Sequence, residues 1–147
     1  MKNHVEKALG LLIILLSMTL LISEIEIENN NIYSRATPIS LNVICSGSLS
    51  GNKNVESDWY TFTLNNAGRV NIVFDSSAMQ NNFNYYEVSV YSDADLSKQL
   101  SGYTIRGLTR ETNLNTLGLP QGKYYVRVQS SSYWSDADYS FIVNYLP

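Results

Sequence analysis

Two short stretches of this 147-residue chain concentrate hard oxygen donors. In the first, Glu24-Ile25-Glu26-Ile27-Glu28-Asn29-Asn30-Asn31, acids alternate with isoleucines and then give way to asparagines. Alternate residues of an extended chain share a face, so Glu24, Glu26 and Glu28 line up together and Ile25 and Ile27 rest on the domain that follows. The second, Glu56-Ser57-Asp58, runs straight into Trp59-Tyr60-Thr61-Phe62-Thr63-Leu64. There Tyr60, Phe62 and Leu64 point one way and Trp59, Thr61 and Thr63 the other. Calcium takes about six to eight oxygens from carboxylates, amides and carbonyls and tolerates irregular geometry. Glutamates and asparagines of the lead-in together with the loop acids would make such a set if the lead-in folds back onto the loop. A solvated acidic linker is the alternative.

Other chemistries lack their parts. The single histidine, His4, lies in an N-terminal apolar leader, and Cys45 is the only cysteine. Zinc and copper therefore have no ligand set, an internal disulfide cannot form, and Ser-His-Asp or Cys-His schemes have no general base. Cys45 reads as a buried, inert thiol. The carboxylate pairs Glu56/Asp58 and Asp136/Asp138 have the residue types of a glycosidase, but loop acids that solubilise or bind calcium are the commoner arrangement. Catalysis is not expected. A net charge of −3 leaves no basic face to neutralise phosphates, which excludes a nucleic-acid partner.

Lys2 and Lys7 precede an uncharged run from Ala8 to Ser23, closed by Glu24. This is the plan of a secretory signal peptide over residues 1–23, with a membrane role only if it stays uncleaved. A buried core helix is the alternative. Residues 24–36 form the acidic, Asn-rich lead-in, and 37–147 suffice for one domain with a single core.

Within that domain, 11 tyrosines and frequent Ser, Thr, Asn and Val suit half-exposed strands. Strands are expected over Ile39–Cys45, Trp59–Leu64, Arg69–Asp75, Tyr85–Tyr91, Leu100–Ile105, Thr112–Leu117, Lys123–Gln129 and Tyr139–Tyr145, with Asn65-Asn66-Ala67-Gly68 as a hairpin-type turn. About eight short strands without a helical period imply an all-β, antiparallel, jelly-roll-like sandwich.

Gly47-Ser48-Leu49-Ser50, Ser57-Asp58-Trp59-Tyr60-Thr61-Phe62, Gly68-Arg69-Val70-Asn71-Ile72, Leu119-Pro120-Gln121-Gly122-Lys123-Tyr124-Tyr125-Val126-Arg127-Val128 and Tyr139-Ser140-Phe141 together resemble the bacterial pre-peptidase C-terminal domain, the family that includes the collagen-binding domains of clostridial collagenases. The resemblance runs from about Glu26 to Tyr145. It implies a jelly-roll sandwich of this length, usually appended to secreted proteases, with calcium held by a Glu-x-Glu-Pro-Asn-Asn opening and by acids before the Asp-Trp-Tyr strand. Glu26, Glu28, Asn30 and Asn31 match the opening, with Asn29 where Pro is frequent. Asp58 matches the family aspartate, Glu56 stands where Asp is common, and residues 52–54 depart from the pattern. The implied function is a secreted, non-catalytic module that binds an extracellular polymer or protein, with Tyr125, Tyr133 and Trp134 as exposed contact candidates. A chaperone-like or inhibitory partner of an exported protease is the alternative, and a small secreted hydrolase ranks behind both. Relatives that bind collagen carry apolar or Tyr residues where this chain has Arg127, Gln129 and Ser131, which argues against collagen.

Overall fold

The computed structural model describes residues 23–49, 56–76, 81–107, 112–114 and 116–147. Residues 1–22 of the expected leader and 52–54, the altered part of the loop, lie outside the described residues. The strands in chain order are β1 (Ser23–Ile25), β2 (Thr37–Pro38), β3 (Ile44–Gly47), β4 (Ser57–Leu64), β5 (Gly68–Asp75) and β6 (Asn84–Ser92). They continue with β7 (Asp95–Arg106), β8 (Thr112–Asn113), β9 (Leu117–Leu119), β10 (Gly122–Ser130) and β11 (Tyr139–Leu146). A single 3₁₀ turn spans Tyr33–Arg35, and no α-helix occurs among the described residues. Sheet A runs β1-β3-β11-β5-β8, with β9 farther along β5, and sheet B runs β2-β4-β10-β6-β7.

The period-2 pattern decides which side of each strand is buried. Val70, Ile72 and Phe74 of β5 and Tyr139, Phe141 and Val143 of β11 form one wall of the core. Tyr60, Phe62 and Leu64 of β4, Tyr86, Val88 and Val90 of β6 and Tyr124, Val126 and Val128 of β10 form the other. Burying each large side chain contributes about 1.5–3 kcal/mol, enough to hold register across both sheets. Aromatic contacts bridge the walls, with Tyr60 edge-on to Phe141 at 4.8 Å and Tyr86 edge-on to Tyr139 at 5.4 Å, while Tyr139 also stacks on Phe74 of its own sheet at 5.3 Å.

The sandwich is as expected, and several details differ, among them the strand expected over Thr112–Leu117, of which β8 holds Thr112–Asn113 and β9 only Leu117. Of the strand expected over Ile39–Cys45 only Ile44 and Cys45 are strand, in β3; the rest is a turn after β2 in which Asn42 takes φ 62°, a left-handed conformation that Asn tolerates. The turn at Asn65–Gly68 is not a hairpin, because β4 lies between β2 and β10 in sheet B while β5 belongs to sheet A. It carries the chain across the core, so both strands present apolar faces to the same interior. The sheets are also not purely antiparallel, since β1 runs parallel to β3 and β2 parallel to β4. Finally, Ile25 and Ile27 do not rest on the domain but are 76% and 65% exposed. The glutamate side faces inward instead, because Glu26 finds strong hydrogen-bond donors there.

Candidate functional site

The parallel pairing of β1 with β3 carries the lead-in over one end of the sandwich, where the Glu26 N–H donates to the Ser46 carbonyl at 3.0 Å. One Glu26 oxygen, Oε1, accepts the Ser48 backbone N–H at 2.8 Å, and Oε2 accepts the Tyr60 hydroxyl at 2.7 Å. Tyr60 Oη lies 2.6 Å from Tyr139 Oη, and Tyr139 donates to Asp58 Oδ2 at 2.6 Å. A row Glu26–Tyr60–Tyr139–Asp58 thus joins the lead-in, β4 and β11. Gly47 makes room for it, since a Cβ there would collide with Tyr60 Oη and would stand 2.5 Å from Glu26 Oε2 and 2.8 Å from Tyr139 Oη.

The row is short of protons. Each phenol supplies one hydroxyl proton and a carboxylate none, so two protons serve three contacts. Burial pushes Asp58 up to about 8; the Tyr139 bond opposes this, and the charges of Glu26 and Glu56 add to it. Burial raises Glu26 as well, against the pull of the Ser48 and Tyr60 bonds and with help from Glu28. Burial, reinforced by the two acids, raises both tyrosines far above the ordinary phenol range, so they remain donors. A third proton on the acids, or a cation between them, relieves the deficit.

Asn30 is wholly buried next to this row. Its Nδ2 donates to Thr37 Oγ1 at 3.2 Å and to the Trp59 carbonyl at 3.4 Å, while its own carbonyl accepts the Trp59 N–H at 3.0 Å. Its Oδ1 has no hydrogen-bond partner, which is costly for a buried acceptor and is the state a hard cation would relieve. Asn31 is exposed, and its carbonyl accepts the Ser57 hydroxyl at 3.4 Å. Glu56 is buried, and Glu28 is exposed on a pocket of about 330 Å³ that it shares with Glu26, Ser48 and Asp138. The lead-in does fold back beside the start of β4.

Carboxylates and an amide oxygen are donors that fit calcium rather than a soft metal. Among the described residues no three or more His, Cys, Asp or Glu side chains stand together as a group that could hold a metal ion. Coordination would therefore exchange the phenol bonds of Glu26 and Asp58 for bonds to the ion. Cys45 takes no part. It is buried, with its thiol raised to about 12 by burial and by the charges of Glu24, Glu26 and Asp58.

The residues that sequence reasoning missed here are Tyr60, Tyr139, Gly47, Ser48 and Asp138. Asp58 sits two residues before Tyr60 and so shares its inward face, a signal present in the alternation of β4.

The contact candidates fare differently. Tyr125 is not exposed: at 3% accessibility it packs with Trp59 and Tyr91 on the outer side of sheet B, and Tyr33 of the 3₁₀ turn covers it edge-on at 6.2 Å. Its hydroxyl donates to Asp93 Oδ1 at 2.8 Å, and Arg127 lies over the Trp59 and Tyr91 rings at 5.5 and 5.3 Å. Trp134 is half-buried. Tyr133 is 46% exposed and stacks on the equally open Phe83, with centroids 4.3 Å apart.

At the level of sequence, no family model and no curated protein matches the chain. Among solved structures, the pre-peptidase C-terminal domain of collagenase from Bacillus anthracis superposes with a TM-score of 0.58 and 24% identity, over 74% of this chain and 94% of that one. The fold is thus that of the pre-peptidase C-terminal β-sandwich. A protein from Sulfurospirillum deleyianum has a TM-score of 0.42 and 10% identity, over 69% of this chain and 96% of its own. The K3 cleaved adhesin domain of Lys-gingipain from Porphyromonas gingivalis w83 has a TM-score of 0.40 and 15% identity, over 67% and 69%. No helix among the described residues is long and apolar enough to cross a membrane.

Proposed function

We propose that this chain is an exported, non-catalytic β-sandwich module that binds calcium where its lead-in meets β4 and attaches to an extracellular polymer or protein. The observation that carries the reading is the proton-deficient row from Glu26 to Asp58. Asp58, buried in β4, and Glu26, half-buried in the lead-in, are joined through two tyrosines, and the lead-in is otherwise held by the three-residue β1 and a few hydrogen bonds. Glu26, Asp58 and Asn30 Oδ1 are the inner donors of the proposed site, with Glu28, Asn31 and Glu56 within the same end of the sandwich. Bound calcium would neutralise the acids and clamp the lead-in to the domain. The attachment role is supported by the fold shared with a domain of a collagenase.

Thermal melting of residues 23–147 in calcium and in chelator tests the ion. A ligand at a hundredfold excess over its Kd stabilises by about 2.7 kcal/mol, and the melting temperature should rise by roughly 10 °C. Glu26→Ala and Asp58→Ala should abolish the rise. Identical curves in calcium and chelator would leave the row as a proton-holding structural device. Retention on immobilised chitin, peptidoglycan or matrix protein tests the attachment separately.

A further inference from the structure

Three outer strands are short. β1 has three residues, β8 two, and β2 two, one of them Pro38. β7 is different, a twelve-residue strand at the end of sheet B that pairs only with β6 among the described residues. Every second residue of such an edge turns its N–H and C=O sideways, away from the sheet. Its first half is irregular, with register shifts opposite Val90, Tyr91 and Ser92. Between these and a further shift at Asn84/Tyr86, Ser101 to Ile105 pairs regularly with Val90 to Tyr86.

A polar pocket of about 240 Å³ opens beside that regular half, bounded by Glu87, Ser89, Gln99, Gly102, Tyr103 and Thr104. Gly102 leaves room for the Gln99 amide, which lies where a Cβ would stand, so Gln99 borders the pocket there and the route from the edge to Glu87 runs past Thr104, its partner on β7. The Glu87 carboxylate accepts Gln129 Nε2 at 2.7 Å and the Ser131 hydroxyl at 3.3 Å, both neutral donors. No cation pairs with it among the described residues. With strands about 4.8 Å apart, Glu87 on β6 stands about 10 Å from a backbone added outside β7, a span that an extended Lys or Arg side chain covers with its hydrogen bond.

We propose that the Ser101–Ile105 half of β7 accepts an extended peptide as an added strand of sheet B, with a basic side chain of that peptide seated in the pocket at Glu87. Main-chain bonds supply affinity, and the pocket supplies selectivity. The inference rests on the binding-module reading and names its partner class, and it does not depend on calcium.

Three synthetic nonapeptides alternating Thr and Val, with Arg, norleucine or Glu at the centre, test it by fluorescence anisotropy on the chain lacking residues 1–22. The Arg peptide should bind at least tenfold more tightly than the Glu peptide. Glu87→Gln should bring its affinity down to that of the norleucine peptide, with the circular dichroism spectrum unchanged. N-methylation of alternate peptide amides on the side facing β7 should abolish binding. The proposal is overturned if the Arg peptide does not saturate, if N-methylation leaves its affinity intact, or if sedimentation shows β7 occupied by a second copy of this chain. Polymer retention without peptide binding would refute this inference alone, whereas loss of both would remove the binding-module reading with it.

Discussion

Asp58 and Glu26 are acids that hold protons more tightly in the folded chain than in the unfolded one, and this sets the sign of their pH dependence. A carboxyl raised on folding stabilises the native state fully below its unfolded value, here 3.8 for Asp58, and loses that contribution as pH climbs through its folded value of about 8. In chelator the melting temperature should therefore fall between pH 5 and pH 8.5. In calcium the fall should vanish or reverse, because the ion needs both acids ionised. A chelator melt that rises with pH would contradict the proton-short row. Tyr139→Phe leaves Asp58 buried without its donor and should cost about 1–3 kcal/mol in chelator denaturation, although the ring still fits its stack on Phe74. The acids were legible in the sequence because carboxylates beside asparagines advertise hard-oxygen chemistry. The tyrosines were not, since alternation assigns Tyr60 and Tyr139 to the core and says nothing of where a buried hydroxyl points.

Among the elements, β4 and β10 do two jobs at once. Their inward residues build the core, while Trp59 and Tyr125 on the opposite side form a second apolar cluster under the 3₁₀ turn. Tyr125→Ala should accordingly cost about 3–5 kcal/mol by denaturant unfolding, the range for emptying a buried aromatic site. Tyr133→Ala, on an open loop, should stay within about 0.5 kcal/mol. Equal losses would mean that the outer cluster is not a packed unit. The strands themselves were readable because one buried face imposes a period of two. Their partners were less so: the pattern around Asn65–Gly68 fits a hairpin and a crossing between sheets equally well, since each strand shows an apolar face to the core either way. The burial of Tyr125 was unreadable for a related reason. Nothing in Gly122–Ser130 announces that Tyr33, some ninety positions earlier, will close over it.

For the whole molecule, the position of β11 governs when folding can begin. β11 is synthesised after every other described strand, yet it is the middle strand of sheet A, with β3 on one flank and β5 on the other. β10, made shortly before it, separates β4 from β6 in sheet B. Neither sheet has a centre until β10 and β11 have been synthesised, and long-range pairing of this kind is intrinsically slow. A fragment ending at Asp138 should show no cooperative melt by calorimetry, whereas mixing it with a synthetic 139–147 peptide should restore one. Until β10 and β11 have emerged, the earlier strands would therefore wait without their sealing partners, and whatever acts on this segment while it is still extended would have that interval in which to do so.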